Sequence, residues 1–305
     1  MVSLYFLIQQ NNITLSNLFL LDPLLSSPQT TIPDDDLVVT TGEPWVRQKV
    51  QLVRQHLIAF TAALAHQVDE IVVVDLFAKN GLYCLGAKRE IFSGIPIMSL
   101  QEELPVSRYV FCEKDPEQFK ALKVRVNKYF KEKNAVLMNG RPEDLVEKLK
   151  MYIPQSRKGH RVATLCIADS FSLEPSLEFV KRFADYGFTF LVPLTFHLGT
   201  KINHRFYLKH ERWKVDQFLG AGNGENPDWN PDNNLLFYKQ LVGKWGNHVS
   251  ALGFDFSSTT QRLDSGLMEI PTYQMCLLSR KFSSKAIQSD ALSGSNIQFA
   301  LFNQN

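Results

Sequence analysis

From Pro44 to Leu64 the apolar residues fall at Val46, Val50, Val53, Leu57, Phe60 and Leu64. That three-and-four spacing lines one stripe of a helix, and Pro44 suits the first helical position. Beyond it the pattern changes to short runs dense in Val, Ile and Leu: "EIVVVDLF", "RYVFCEKD", "AVLMNG", "ATLCIADS" and "GFTFLVPLTF". Helical stretches stand between most of them: "PEQFKALKVRVNKYFKEK", a short one from Pro142, and one across Leu173 to Tyr186. Strands that are apolar throughout are buried on both faces, so the pattern predicts an α/β, doubly wound, mostly parallel sheet with helices on both faces. The last third reads differently. A Gly/Asn/Pro/Asp loop from Gly220 to Asn234 leads to a helix near Leu235 to Trp245 and two strand candidates, "HVSALGFDF" and "TYQMCLLSR". An antiparallel pair finishing the sheet edge is the expected use of these strands.

The stretch "PLLSSPQTTIPDDD", residues 23 to 36, reads as a linker. The expected organisation is therefore an N-terminal extension and linker over 1–40, one domain over 41–292, and a tail over 293–305. The opening "MVSLYFLIQQNNITLSNLFLL" lacks a basic start and is broken by Gln9, Gln10, Asn11 and Asn12, which argues against a signal peptide or a membrane span. Its expected role is to cover a neighbouring surface.

Composition narrows the picture little. Of the 305 residues 45% are hydrophobic and 21% charged, ordinary values for a globular chain, and a net charge of +2 is too small to imply nucleic acid unless the basic residues are locally grouped. Cys84, Cys112, Cys166 and Cys276 form no C-x-x-C pair, and three lie in strand-like runs, which points to small buried thiols in a reduced, cytoplasmic protein. The seven histidines have no metal-site spacing, so no metal is expected.

In an open α/β sheet, ligands bind beyond the carboxyl ends of the strands, at the point where strand order reverses. The residues ending the predicted strands are Asp75, Glu113 with Asp115, Asn139, and Asp169. The run into Asp75, followed by a turn with Gly81, looks like the first strand and loop of a class I methyltransferase, where glycine lets the backbone approach a cofactor. Glu113 is placed to accept hydrogen bonds from ribose hydroxyls, Asn139 to face an adenine, and Asp169 to orient a methyl acceptor. Acidic residues at strand ends also cap the following helix, so each position has a structural reading beside the functional one. A second grouping is "KINHRFYLKHERWK". As one helix it would put Lys201, Arg205, Lys209 and Arg212 on one stripe beside His204, Phe206, Tyr207 and Trp213, a candidate phosphate or nucleic-acid track; the alternative is a solvated face.

From about Pro44 to about Leu292 the chain resembles the three-Cys-motif partner proteins, TcmP, whose first strand and loop run D-L-F-A-G-P-G and whose next loop carries G-S-P. Here these read "DLFAKNG" and "SGIPIMSL", matching at Asp75, Leu76, Phe77, Ala78, Gly81, Gly94 and Pro96. Trp45 and Lys49 resemble the family's leading W-x-x-x-K helix, and Asp169 is what remains of its D-P-x-G. The resemblance implies a Rossmann-like, S-adenosylmethionine-dependent methyltransferase-type protein acting on nucleic acid or a modified base. Asp75, Phe77, Ala78, Lys79, Gly81, Glu113 and Asn139 would then frame the cofactor, with Asp169 as the catalytic position. It also implies a partner bearing three cysteines, a radical-enzyme-like protein.

The departures bear on that expectation. Lys79 and Asn80 replace Gly and Pro, Ile95 replaces the Ser of G-S-P, and Ser170 and Ser172 replace the Pro and Gly after Asp169. All fall in loops that would touch cofactor or acceptor. An ammonium about 5 Å from a sulfonium is repelled by roughly 3 kcal/mol at an effective dielectric of about 20, whereas it would favour a phosphate. The second expectation is therefore a catalytically degenerate member, a non-enzymatic interaction subunit for a partner protein.

Overall fold

The computed structural model describes residues 32–220 and 229–302, with side chains as far as residue 293. The expected extension up to residue 31, the 221–228 part of the Gly-rich loop and residues 303–305 of the tail lie outside the described residues.

The strands, in chain order, are β1 (Thr40–Gly42), β2 (Glu70–Asp75), β3 (Leu82–Leu85), β4 (Glu90–Ser93), β5 (Arg108–Glu113), β6 (Ala135–Asn139), β7 (Val162–Ile167), β8 (Phe188–Leu194), β9 (Asp255–Arg262) and β10 (Thr272–Ser279). The helices are α1 (Pro44–Leu64), α2 (Ile95–Gln101), α3 (Pro116–Tyr129), α4 (Val146–Tyr152), α5 (Leu177–Ala184), α6 (His204–His210), α7 (Arg212–Leu219), α8 (Asn234–Ala251) and α9 (Ser284–Phe302).

Seven strands form one sheet in the order β6-β5-β2-β7-β8-β10-β9. The first five are parallel, and β10 runs antiparallel between β8 and β9. The expected edge hairpin is there. Its first strand begins later than expected, because His248 to Ala251 complete α8 and Gly253, at φ +84°, turns the chain into β9. This is a Rossmann-like, class I methyltransferase-type fold. Strand order reverses between β2 and β7, which places Asp75 and the residues after Ile167 at the crevice.

The apolar runs are buried as their composition requires. Val72, Val73 and Val74 in β2, and Leu165, Cys166 and Ile167 in β7, have no exposed surface. Helices cover both faces: α1 packs with α9 on one side, while α5, α7 and α8 group on the other. The neighbours Phe256 and Ser257 mark the two faces, the first against Gly246 of α8 and the second hydrogen-bonded to Gln288 of α9.

Local signals set the boundaries. Asp115 caps α3 through Glu117 N and Gln118 N at 3.0 and 2.9 Å. The helix expected from Leu173 starts only at Leu177, because the loop through Pro175 leads to Ser176, whose hydroxyl accepts from Phe179 N and opens α5. The run 201–214 is not one helix. Asn203 accepts from Phe206 N, so α6 begins at His204 with Lys201 outside it, and the chain breaks at Glu211, with φ −122°, before α7.

A feature with no counterpart in the sequence reading is a small second sheet, β1-β3-β4. There β1 runs parallel to β3, and β3 and β4 form a hairpin. β3 and β4 lie in the chain between β2 and α2, directly after the crevice loop, and β1 joins them from before α1.

Candidate functional site

β2 delivers Asp75 to the end of the sheet in a fully buried position. Its Oδ1 accepts from Phe77 N at 3.0 Å, and its Oδ2 has no partner among the described residues. Burial pushes its carboxyl up to about 7, against the lowering effect of the Phe77 N–H; Asp169 and Glu113 raise it further and Lys79 lowers it. Asp169, two residues beyond the end of β7, faces the same small cavity. It is not free: Lys49 of α1 donates to its Oδ1 at 2.7 Å, both side chains being about 2% exposed, and the same ammonium lies 5.1 Å from the Trp45 ring centroid. An ion pair this far from solvent holds together only because each member satisfies the other. Lys49 is thus the functional-position residue that the strand-end survey missed. It lay in plain view on the apolar stripe of α1, as a charge where the period calls for a core residue.

Glu113, at the end of β5, does not line that cavity. Its two oxygens accept from Lys79 N and Asp115 N, each at 2.7 Å, so the carboxylate expected to hold ribose hydroxyls instead ties down the crevice loop and the start of α3. Asn139, expected to face an adenine, is exposed and turns its amide to the carbonyls of Glu113 and Lys114.

The loop from Phe77 to Leu82 explains its own sequence. Ala78 N donates to Cys112 O, Lys79 sits at φ +55° and Gly81 at φ +86°. The left-handed geometry at 79 is what glycine would ordinarily supply, and a side chain there costs roughly 1–2 kcal/mol. Contacts offset that cost. The Lys79 ammonium donates to the Tyr83 hydroxyl at 2.9 Å and lies 5.1 Å from that ring's centroid. Gly81 is needed for a second reason, since a Cβ would stand 2.7 Å from the Ile97 side chain. Asn80 is fully buried: its Oδ1 accepts from Leu82 N and its amide donates to Thr40 Oγ1 in β1. Arg125 of α3, also without exposed surface, donates to Asn80 O at 2.7 Å and grips Asp35 through two bonds of 2.8 and 2.7 Å. That grip holds the Asp35 carboxyl below its ordinary value.

What remains between the strand ends is a cavity of about 10 Å³ lined by Asp75, Lys79, Tyr83, Gly94 and Asp169 among others. That is space for one water. Small-molecule sites typically enclose about 300–1,000 Å³. The residues present do not fit S-adenosylmethionine in this arrangement: Lys79 and Tyr83 occupy the crevice, and Glu113 stands outside the cavity, holding Lys79 N and Asp115 N.

A wider groove of about 1070 Å³ opens nearby, between the loops after β5, β6 and β7 and helices α5 and α7. Charges of both signs line it, including Lys114, Arg141, Glu174 and Lys181, and Trp213 stands in it half-exposed. The basic stripe is not assembled as expected. Arg205 and Lys209 share the exposed face of α6, Lys201 precedes that helix, and Arg212 belongs to α7, where it pairs with Asp216 at 3.1 Å. The aromatics expected to stack are partly spent: Tyr207 is buried with its hydroxyl on His197 O, and His204 is buried on Asn234. Among the described residues no group of His, Cys, Asp and Glu is arranged to hold a metal, and no helix is long and apolar enough to cross a membrane.

No protein-family model matches this sequence, and no curated protein matches it. Among solved structures the chain is similar to a Legionella pneumophila protein of family DUF519, 13% identical over 79% of this chain and 89% of that one, with TM-score 0.46. It is also similar to Trm1 from Pyrococcus horikoshii, solved with S-adenosyl-L-methionine, at 14% identity over 85% and 61% of the two chains and TM-score 0.41. A third is M. jannaschii TYW2, solved with AdoMet, at 8% identity over 74% and 75% and TM-score 0.34. Likeness at these levels lends no weight beyond the strand order itself.

Proposed function

We propose that this methyltransferase-type domain works without a methyl donor, as an interaction subunit for a partner protein. The observation that carries this reading is that Lys79 and Tyr83 fill the crevice, in a loop tied down by Glu113. Both of its oxygens hold backbone N–H groups, one of them in the very loop that would have to cradle an adenosyl group. Lys79 and Tyr83 then fill the space in front of Asp75 and Asp169. The groove beside the crevice supports the binding role, because a half-exposed Trp213 among mixed charges is the chemistry of a protein-docking surface. The resemblance to TcmP suggests a three-cysteine, radical-enzyme-like protein as that partner.

Calorimetric titration with S-adenosylmethionine tests the reading. No heat and no thermal shift at millimolar ligand is the expected outcome, and Lys79→Gly, which removes the ammonium and the side chain at the left-handed position, should bring weak binding into range. Micromolar binding by the unaltered protein, abolished by Glu113→Ala, would falsify it.

One observation favours a second reading, a methyltransferase whose loop opens to admit cofactor. Asp75 keeps a buried carboxylate oxygen without a partner and titrates near neutrality beside the Lys49–Asp169 pair. Perturbed groups of this kind concentrate at reactive sites. The same titration decides between the two.

A further inference from the structure

Among the described residues the sheet ends at β9, and none of them pairs with its outer edge. Leu263 N donates to Pro271 O, and the register pairs Asp255–Arg262 with Thr272–Ser279 without interruption. In an antiparallel ladder, hydrogen-bonded and non-bonded pairs alternate, so the odd-numbered residues of β9 bond to β10. Phe256, Ser258, Thr260 and Arg262 turn their N–H and C=O groups outward, where no described residue meets them. Such an edge is ordinarily guarded by a lysine, a proline or a bulge. Here no charge and no proline interrupts "FSSTTQ", and the eight-residue strand has no bulge.

A second observation lies on the same flank. Between β9 and α8 runs a groove of about 400 Å³ lined by Tyr238, Val242, Gly243, Gly246, Phe256 and Ser258. A Cβ at Gly243 would meet nothing within 4 Å. The outward-bonding residues of β9 carry their side chains on this α8 face, with Phe256 against Gly246.

We propose that β9 pairs antiparallel with β9 of a second copy of this chain, about a two-fold axis at Thr259, joining the two seven-stranded sheets into one. The strand is self-complementary in that register. Ser258 faces the second copy's Thr260, a hydrogen-bonding cross-strand pair. Phe256 faces the second copy's Arg262, whose side chain is 84% exposed in the single chain and would lie over the aromatic ring and the groove. A two-fold contact of this kind closes on itself. It depends on nothing in the crevice and stands apart from the proposed function.

The test combines mass in solution with cross-linking. Light scattering over about 1–100 μM should show a dimer. Ser258→Pro deletes one outward N–H and no bond to β10, so its dissociation constant should rise at least about tenfold while circular dichroism and Tm hold. Ser258→Lys, the natural kind of edge guard, should do the same. On the axis, two Thr259 Cα atoms would be about 4.5 Å apart, within disulfide range. Thr259→Cys should therefore form a disulfide dimer on mild oxidation, whereas Gln261→Cys should do so only when mixed with Ser257→Cys. The native thiols are buried and give no background. A monomer at about 100 μM with Thr259→Cys uncross-linked overturns the pairing. So does a dimer indifferent to Ser258→Pro, or an edge that protects its amides only when a foreign extended peptide is added.

Discussion

Asp75 holds its proton to near neutrality in the folded chain, while an unfolded aspartate loses it near pH 4. Between those limits the folded state binds more protons, so this residue's contribution to stability is complete below about pH 4 and drains away as the pH climbs through 7. At full effect each unit of that displacement is about 1.4 kcal/mol. Asp75→Asn should therefore flatten the fall of Tm between about pH 5 and pH 8, a difference that scanning calorimetry at four pH values reads directly. Lys49→Met strands a buried Asp169 carboxylate and should cost about 3–5 kcal/mol in urea unfolding. Adding Asp169→Asn should recover most of the loss. Of these residues the sequence exposes Asp75, Glu113 and Asp169 by their place at the ends of apolar runs. That Glu113 holds Lys79 N, and that Asp169 has a lysine, depend on chain segments 34 and 120 residues away, which no pattern local to those strand ends encodes.

At the scale of elements, the long helices were legible from their period and the central strands from their unbroken apolar runs. The β1-β3-β4 sheet was not, since its strands have only three or four residues each. Yet that sheet decides the state of the crevice: β3 supplies Tyr83, and β1 supplies the threonine that holds Asn80. The split between α6 and α7 was hidden for another reason, as the asparagine cap at 203 outweighs a charge pattern that would suit one continuous helix. Two substitutions probe this layer. Gly81→Ala drives a methyl group to within 2.7 Å of Ile97 at a left-handed backbone position and should cost at least about 2 kcal/mol of unfolding free energy. Arg125→Met removes the clamp on both Asp35 and the Asn80 carbonyl. Amide exchange at Lys79 to Leu82 should then quicken at least about tenfold, while β2 and β7 exchange as before.

For the whole molecule, the four cysteines give an even sampling, one each in β3, β5, β7 and β10, all buried and unpaired. Burial raises the thiols of Cys112, Cys166 and Cys276 further from their reactive form. A thiol reagent should find none of the four under native conditions, and all four together once denaturant unfolds the sheet. Staggered labelling would mean that the two sheets come apart separately.

The clasp between Arg125 and Asp35 also has a practical side. The first helix begins at Pro44, and a biochemist trimming the gene to its regular core would naturally cut there. The shortened product would lack Asp35, Val38 and Thr40, leaving the Arg125 guanidinium without its counter-charge and the crevice loop without its anchor in β1. Such a fragment should come out of expression poorly folded, and restoring the few residues from Asp34 should rescue its yield.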